Sequence, residues 1–225
     1  MKTLLSAACA LLVVAPAVHA IEIDYAALWE KATPFHLFLE NVKARQDQWK
    51  PRFAEAAIEP AALEAARTLP ARRRILAVAD DRCSDSAWAL PYVAKLAAAV
   101  PEQLELRVIS RAEGSRIQSA HLTPDGRLAT PTIIVLDENN RYIGAWVERP
   151  SELQTWYLEN KPKVTEATLY AHVNKWYTND AGRSTIRELL VILGHDAVVD
   201  GAASVAADRV AANRVAADRA TAERS

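Results

Sequence analysis

Cysteine is nearly missing from this chain: Cys9 and Cys83 are the only two in 225 residues. A disulfide-stapled exported scaffold needs several pairs, so that architecture is excluded. Six glycines and eleven prolines are too few for a collagen-like or low-complexity chain. An excess of either charge is also absent, with 27 Lys and Arg against 28 Asp and Glu. There is no basic field to hold a phosphate backbone, so nucleic acid is not an expected partner. Nor is there a bilayer-spanning run, which takes roughly 20 apolar residues; the longest small and apolar stretch, Leu4 to Val18, falls short. What is present, 51% hydrophobic and 24% charged residues, describes one main globular domain with helical additions.

The short apolar run has a different meaning. Lys2 precedes it, and it closes on Val18-His19-Ala20 before Ile21, with small residues at the two positions a signal peptidase reads. Residues 1–20 are therefore expected to be a secretory signal peptide, which places the mature chain in the periplasm or outside the cell. Cys9 is not a lipoprotein anchor, because Ser6-Ala7-Ala8 lacks the large aliphatic residue that opens a lipobox. The remaining 205 residues carry one cysteine, Cys83. A lone cysteine cannot staple its own chain, so Cys83 is either a buried small hydrophobe or a thiol kept for chemistry.

From Ile21 to about Leu69 the apolar spacing is helical, punctuated by Pro34, Pro51 and Pro60. This predicts a helical N-terminal extension. Arg74 to Ala79, Leu104 to Ile109 and Pro131 to Leu136 then read as three central strands. Ser84 to Val100 and Arg111 to Leu122 read as the helices between them, which predicts βαβ crossovers and a parallel strand pair. Asp137 to Asn140 supplies a turn, and Arg141 to Trp146 a further strand, so the sheet ends in an antiparallel hairpin and is mixed. Helices are expected over 151–159, over 165–177 and from about Ser184, where Thr185 and Glu188 have capping-box spacing. The domain is expected to span residues 21–198. Beyond Gly201 the five-residue repeat beginning at Val205, Val210 and Val215 turns a helix by about 500° per unit. No apolar stripe forms, and residues 199–225 read as an Ala-rich low-complexity tail.

The chemistry is expected where the first central strand gives way to its helix, at Ala79-Asp80-Asp81-Arg82-Cys83-Ser84-Asp85-Ser86. Strand carboxyl ends gather ligands in open α/β sheets. A thiol at a helix N-terminus faces unpaired N–H groups carrying about half a positive charge, which favours the thiolate. Arg82 acts in the same sense, whereas Asp80, Asp81 and Asp85 oppose it; the same acids would equally suit a helix cap. His36, His121, His172 and His195 are scattered and read as surface or capping residues, so no metal site is expected. Arg72-Arg73-Arg74 reads as a solvated start to the strand, and Trp88 and Trp146 as possible groove walls.

Three features in order resemble the thioredoxin fold: a cysteine opening the first long helix, Pro91 eight residues further on, and Thr130-Pro131 immediately before the third strand. The chain further resembles a bacterial branch, the thioredoxin 9 type, through Cys83-Ser84-Asp85-Ser86 with Leu90-Pro91, through Leu122-Thr123 to Thr130-Pro131, and through Trp176 to Ser184. Arg82 and Ser84 depart from the tryptophan and glycine usual in that branch. The resemblance implies an α/β, three-layer fold and a cis peptide bond between Thr130 and Pro131, in a loop that faces the cysteine and pairs with the bound partner.

Ser86 stands where a C-x-x-C pair has its second cysteine, so the two-thiol reductase cycle is unavailable and any exchange is monothiol. Asp80 stands where a peroxiredoxin would carry a threonine, which argues against that chemistry. The expected catalytic residues are Cys83 as nucleophile, Asp85 as the group tuning the thiol or relaying its proton, and Ser86 in the second position of the pair, with Arg82, Thr130 and Pro131 as the binding surface. The expected partner is a protein or small-molecule thiol or disulfide, without a cofactor. The competing expectation is a redox-silent thioredoxin-fold module that holds an extended peptide in the same groove.

Overall fold

A computed structural model describes residues 23–194. The expected signal peptide, the Ala-rich tail and His195 lie outside the described residues. Five strands are described: β1 (Thr33–Pro34), β2 (Arg73–Ala79), β3 (Leu104–Ser110), β4 (Thr132–Asp137) and β5 (Tyr142–Val147). They form one sheet in the order β1-β3-β2-β4-β5. β2 and β3 are parallel and the other neighbours antiparallel, so the sheet is mixed and ends in the expected β4–β5 hairpin.

Side chains alternate across a strand, which explains why β2 and β4 are apolar throughout. Ile75, Ala77, Ile133 and Val135 enter a core on one face of the sheet, while Leu76, Val78, Ile134 and Leu136 enter another on the opposite face. The first face is covered by α5 (Ser84–Ala99), with Pro91 inside it, and by α9 (Arg183–Leu193). Leu90, Val93 and Leu96 of α5 are fully buried, each worth about 1.5–3 kcal/mol relative to exposure. The second face is closed by Trp29 of α1 (Tyr25–Lys31) and Ile117 of α6 (Ser115–Ala120). A third cluster joins α7 (Ser151–Asn160) to α8 (Glu166–Asp180) through Leu153, Tyr157, Leu169, Val173 and Tyr177. Among the described residues no helix is long and apolar enough to cross a membrane.

The N-terminal extension comprises α1, α2 (Phe35–Asn41), α3 (Gln46–Glu55) and α4 (Pro60–Arg67). Two of its prolines punctuate as expected: Pro34 caps α2, and Pro60 begins α4, where its missing N–H costs nothing. Pro51 lies inside α3. The extension also holds β1, which pairs antiparallel with β3 through Thr33 and Val108. Two residues are too few to display a strand period.

The second crossover is corrected. In place of a helix over 111–122, a turn leads into the six-residue α6, and the chain turns again between Thr123 and Arg127, with Gly126 at φ +78°. That second turn brings β4 in antiparallel to β2. The capping box is corrected too. Ala181 and Gly182, at φ +49° and +76°, break the chain between α8 and α9, and the Asp180 carboxylate accepts the Ser184 N–H at 3.1 Å. Thr185 is therefore inside α9 and fully buried, while Glu188 accepts the Trp146 indole N–H at 2.7 Å and the Ser151 N–H at 2.8 Å. Arg73 is buried rather than solvated, its Nε–H donating to the Leu193 carbonyl at 3.0 Å.

Candidate functional site

β2 delivers the chain to a tight turn in which the Cys83 N–H donates to the Asp80 carbonyl at 3.0 Å. Cys83 is the N-cap of α5: its half-buried Sγ accepts the Ser86 N–H at 3.5 Å and, as a thiol, donates to the Thr130 carbonyl at 3.1 Å. The Thr130-Pro131 bond is cis, as the resemblance implies. The thiol and the proline loop thus face each other, and the Thr130 N–H has no hydrogen-bond partner among the described residues.

The acids around the thiol do not cap α5; each is committed elsewhere. Asp80 accepts from Arg82 through Nε at 3.1 Å and Nη2 at 3.0 Å, and these bonds hold its carboxyl below the usual carboxylate range. The Arg82 side chain is thereby turned toward Asp80 and solvent. Asp81 accepts the backbone N–H groups of Lys43 and Ala44 at 2.8 and 2.9 Å, and its carbonyl accepts the Trp49 indole N–H at 2.9 Å. Arg45 adds a bond from Nε to the Arg82 carbonyl at 2.6 Å. The N-terminal extension is therefore fastened to the turn that carries the thiol.

Asp85, 6% exposed, meets a guanidinium that sequence reasoning missed. Arg149 donates to it through Nε at 3.0 Å and Nη2 at 2.8 Å, and the Tyr177 hydroxyl donates at 3.3 Å. Burial pushes the Asp85 carboxyl up to about 6 against the pull of Arg149, with Glu148 adding to the rise. Burial likewise raises the Tyr177 hydroxyl well above its usual range. Arg149 also pairs with Glu148 at 3.0 Å, and Arg127 reaches the Glu148 carboxylate with two bonds, at 3.2 and 3.0 Å. The Glu148 N–H donates to the Pro131 carbonyl at 2.8 Å. An alternating chain of charges thus joins the first turn of α5 to the proline loop. The one sequence sign of it was the charged pair Glu148-Arg149, placed between a strand and a helix-starting proline.

Ser86 is fully buried, does not line the cleft, and its Oγ has no hydrogen-bond partner among the described residues. Trp88 does form a cleft wall. It stacks on Tyr177 with 5.4 Å between ring centroids, donates to Asn174 at 3.1 Å and carries the Arg52 guanidinium 3.4 Å from its ring centroid. Trp146 is not a groove wall but a core residue, 5% exposed. The cleft encloses about 760 Å³, with Cys83 and Thr130 in its lining. His121 is the C-cap residue of α6, buried against Tyr142 rather than at the surface, and His172 stacks on Trp156 at 3.5 Å. No group of three or more potential metal ligands occurs among the described residues.

A mixed sheet, a cysteine capping the helix after its central strand and a cis-proline loop opposite the thiol together define a thioredoxin-like protein. The chain belongs to the thioredoxin 9 family, described simply as thioredoxin, whose pattern matches residues 32–167. It is similar to the crystal structure of PA1234, a protein of unknown function from Pseudomonas aeruginosa, with a TM-score of 0.60 and 21% identity over 76% of this chain and 98% of that one. It is also similar to an HIV epitope scaffold of the 4E10 series, with a TM-score of 0.59 and 22% identity over 75% of this chain and 96% of the scaffold. At these identities the likeness is one of fold. No curated protein matches the chain significantly. With Cys83 as the one cysteine of the described residues, the family and the site are consistent with a thiol-related role.

Proposed function

We propose that the protein carries out monothiol thiol–disulfide exchange through Cys83, as an exported protein. The observation that carries this reading is the half-buried Sγ at the N-cap of α5, 3.1 Å from the carbonyl that precedes the cis-proline, with Ser86 in place of a second thiol. The Cys83 thiol gives up its proton to water or buffer, and the thiolate attacks one sulfur of a partner disulfide. One S–S bond forms as the other breaks, and the departing thiolate takes up a proton. A second thiol later releases the partner and restores Cys83, so no net oxidant is consumed. The free Thr130 N–H supports backbone pairing with the partner, and Pro131 shapes the floor beside it. Asp85 acts as a positioning residue, holding Arg149 against the first turn of α5; Ser86 takes no step.

The test is incubation with oxidised glutathione at about pH 8. Intact mass should rise by one glutathione, a reductant should reverse the change, and Cys83→Ser should abolish it. No mass change would transfer the groove to the alternative role of a redox-silent peptide-binding module. Export is tested separately: mature protein recovered from the cell envelope or medium should begin at Ile21, and retention of residues 1–20 would refute it.

A further inference from the structure

Six arginines line the cleft around Cys83, and they are not equivalent. Arg82 is neutralised by Asp80, Arg127 by Asp125 and Glu148, and Arg149 by Asp85 and Glu148. Arg45, Arg52 and Arg111 form no ion pair with any described carboxylate. The uncommitted acid in the lining is Glu166 of α8.

Two of these three arginines are held in place by neutral groups. Arg45 is anchored through Nε to the carbonyl of Arg82, the residue next to the thiol, at 2.6 Å. Arg52 lies on the face of Trp88 and donates to Gln48 at 3.2 Å; desolvation lowers its pKa to about 10. Arg111 is exposed in the turn after β3, lines the same cleft, and acts on Asp80 only through space. A carbonyl and an aromatic face order a guanidinium without cancelling its charge, leaving donors and positive potential for a ligand. The cleft volume is within the range of sites for small molecules, roughly 300–1,000 Å³.

Resting on the reading of Cys83 as the exchanging thiol, we propose that its physiological partner is a small anionic disulfide, one whose carboxylates flank the S–S bond and meet Arg45, Arg52 and Arg111. Attack by the Cys83 thiolate leaves one half of the compound as a mixed disulfide and releases the other as a carboxylate-bearing thiol. Charge selects the partner, and the chemistry stays the same for any disulfide that enters.

Three disulfides of similar size separate the two readings: dithiodipropionate as dianion, hydroxyethyl disulfide as neutral compound and cystamine as dication. Rates of Cys83 adduct formation are followed by mass spectrometry on the whole protein, each divided by the rate of the same disulfide with free 2-mercaptoethanol so that leaving-thiol acidity cancels. At about 0.01 M ionic strength the dianion should react roughly tenfold faster than the neutral compound and the dication slower, the lower end of the range for electrostatic steering. At about 0.15 M salt, where the Debye length shortens to about 8 Å, the three rates should draw together. Arg111→Glu should slow the dianion and speed the dication; a mere disturbance of the loop would change both in the same direction. Equal rates for the three compounds at low salt would overturn the anionic partner while leaving monothiol exchange standing. Failure of all three, the neutral compound included, would overturn exchange and this proposal with it.

Discussion

The buried pair of Asp85 and Arg149 makes a stability prediction with an unusual sign. Burial raises the Asp85 carboxyl from its ordinary 3.8 to about 6, even with Arg149 at 2.8 Å. Between about pH 4 and 6 the folded protein therefore keeps a proton that the unfolded chain has given up, and stability falls as pH rises across that window. The contribution is complete below about pH 4 and lost above about pH 6. The gap of about two pH units, at about 1.4 kcal/mol each, amounts to about 3 kcal/mol. The assay is urea unfolding followed by tryptophan fluorescence, at several pH values, on wild type and Asp85→Asn. Asparagine cannot titrate, so other groups cancel in the difference: relative to the variant, wild type should lose about 3 kcal/mol between pH 3 and 7. Parallel profiles, or a wild type that gains on the variant as pH rises, would refute the argument by showing that Arg149 and Tyr177 outweigh burial. Arg149→Met is the complementary change. It removes the cation shared by Asp85 and Glu148, and should cost about 3–5 kcal/mol at neutral pH.

Two further substitutions probe the frame of the site. Gly182→Ala would combine a φ of +76° with a Cβ driven into the Tyr92 ring, and should cost about 2–4 kcal/mol, read as a lower urea midpoint. Ser86→Ala should leave stability unchanged or raise it by about 1 kcal/mol, because the hydroxyl it removes is buried without a partner; Ser86→Cys should close a disulfide with Cys83 on oxidation, detected as the loss of two free thiols without dimer formation. A loss of stability above about 1 kcal/mol in Ser86→Ala would mean that the hydroxyl is satisfied in solution.

The central sheet was legible because burial on both faces leaves a compositional mark. Arg73–Ala79 and Thr132–Asp137 are apolar enough that neither reads as a helix or an exposed strand. Direction was less legible. Nothing local in residues 111–131 says whether the chain returns parallel or reverses, and the answer lies in the length of α6 and the turn around Gly126. The capping box failed for a related reason: Thr185 and Glu188 have the right spacing, but a cap acts only at a helix boundary, and two left-handed residues set that boundary earlier. Tyr177 lay within the Trp176–Ser184 segment that carried the family resemblance, and the structure supplies its physical content. Tyr177 reaches Asp85, Asp180 caps α9, and Ala181 and Gly182 make the bend.

One departure from the family pattern, Arg82, bears differently on the thiol than its position suggests. A cation adjacent in sequence to Cys83 invites the inference that it stabilises the thiolate. The Arg82 guanidinium instead makes two bonds to Asp80, and what the loop takes from residue 82 is its backbone: an N–H donated to Asp80 and a carbonyl given to Arg45. Any side chain compatible with that turn could supply both. Positive charge near the thiol is carried instead by Arg45 and Arg52, from a helix that begins 37 residues earlier in the chain and is fastened to the turn through Asp81 and Trp49. Such a contribution is invisible to motif reading, because the residues that bring this positive charge to the cleft lie outside the cysteine motif. It also ties the N-terminal extension to the cleft as well as to the core. Trp49 is completely buried, yet its indole N–H is spent on the Asp81 carbonyl, so the packing of α3 and the position of the thiol-bearing turn cannot vary independently.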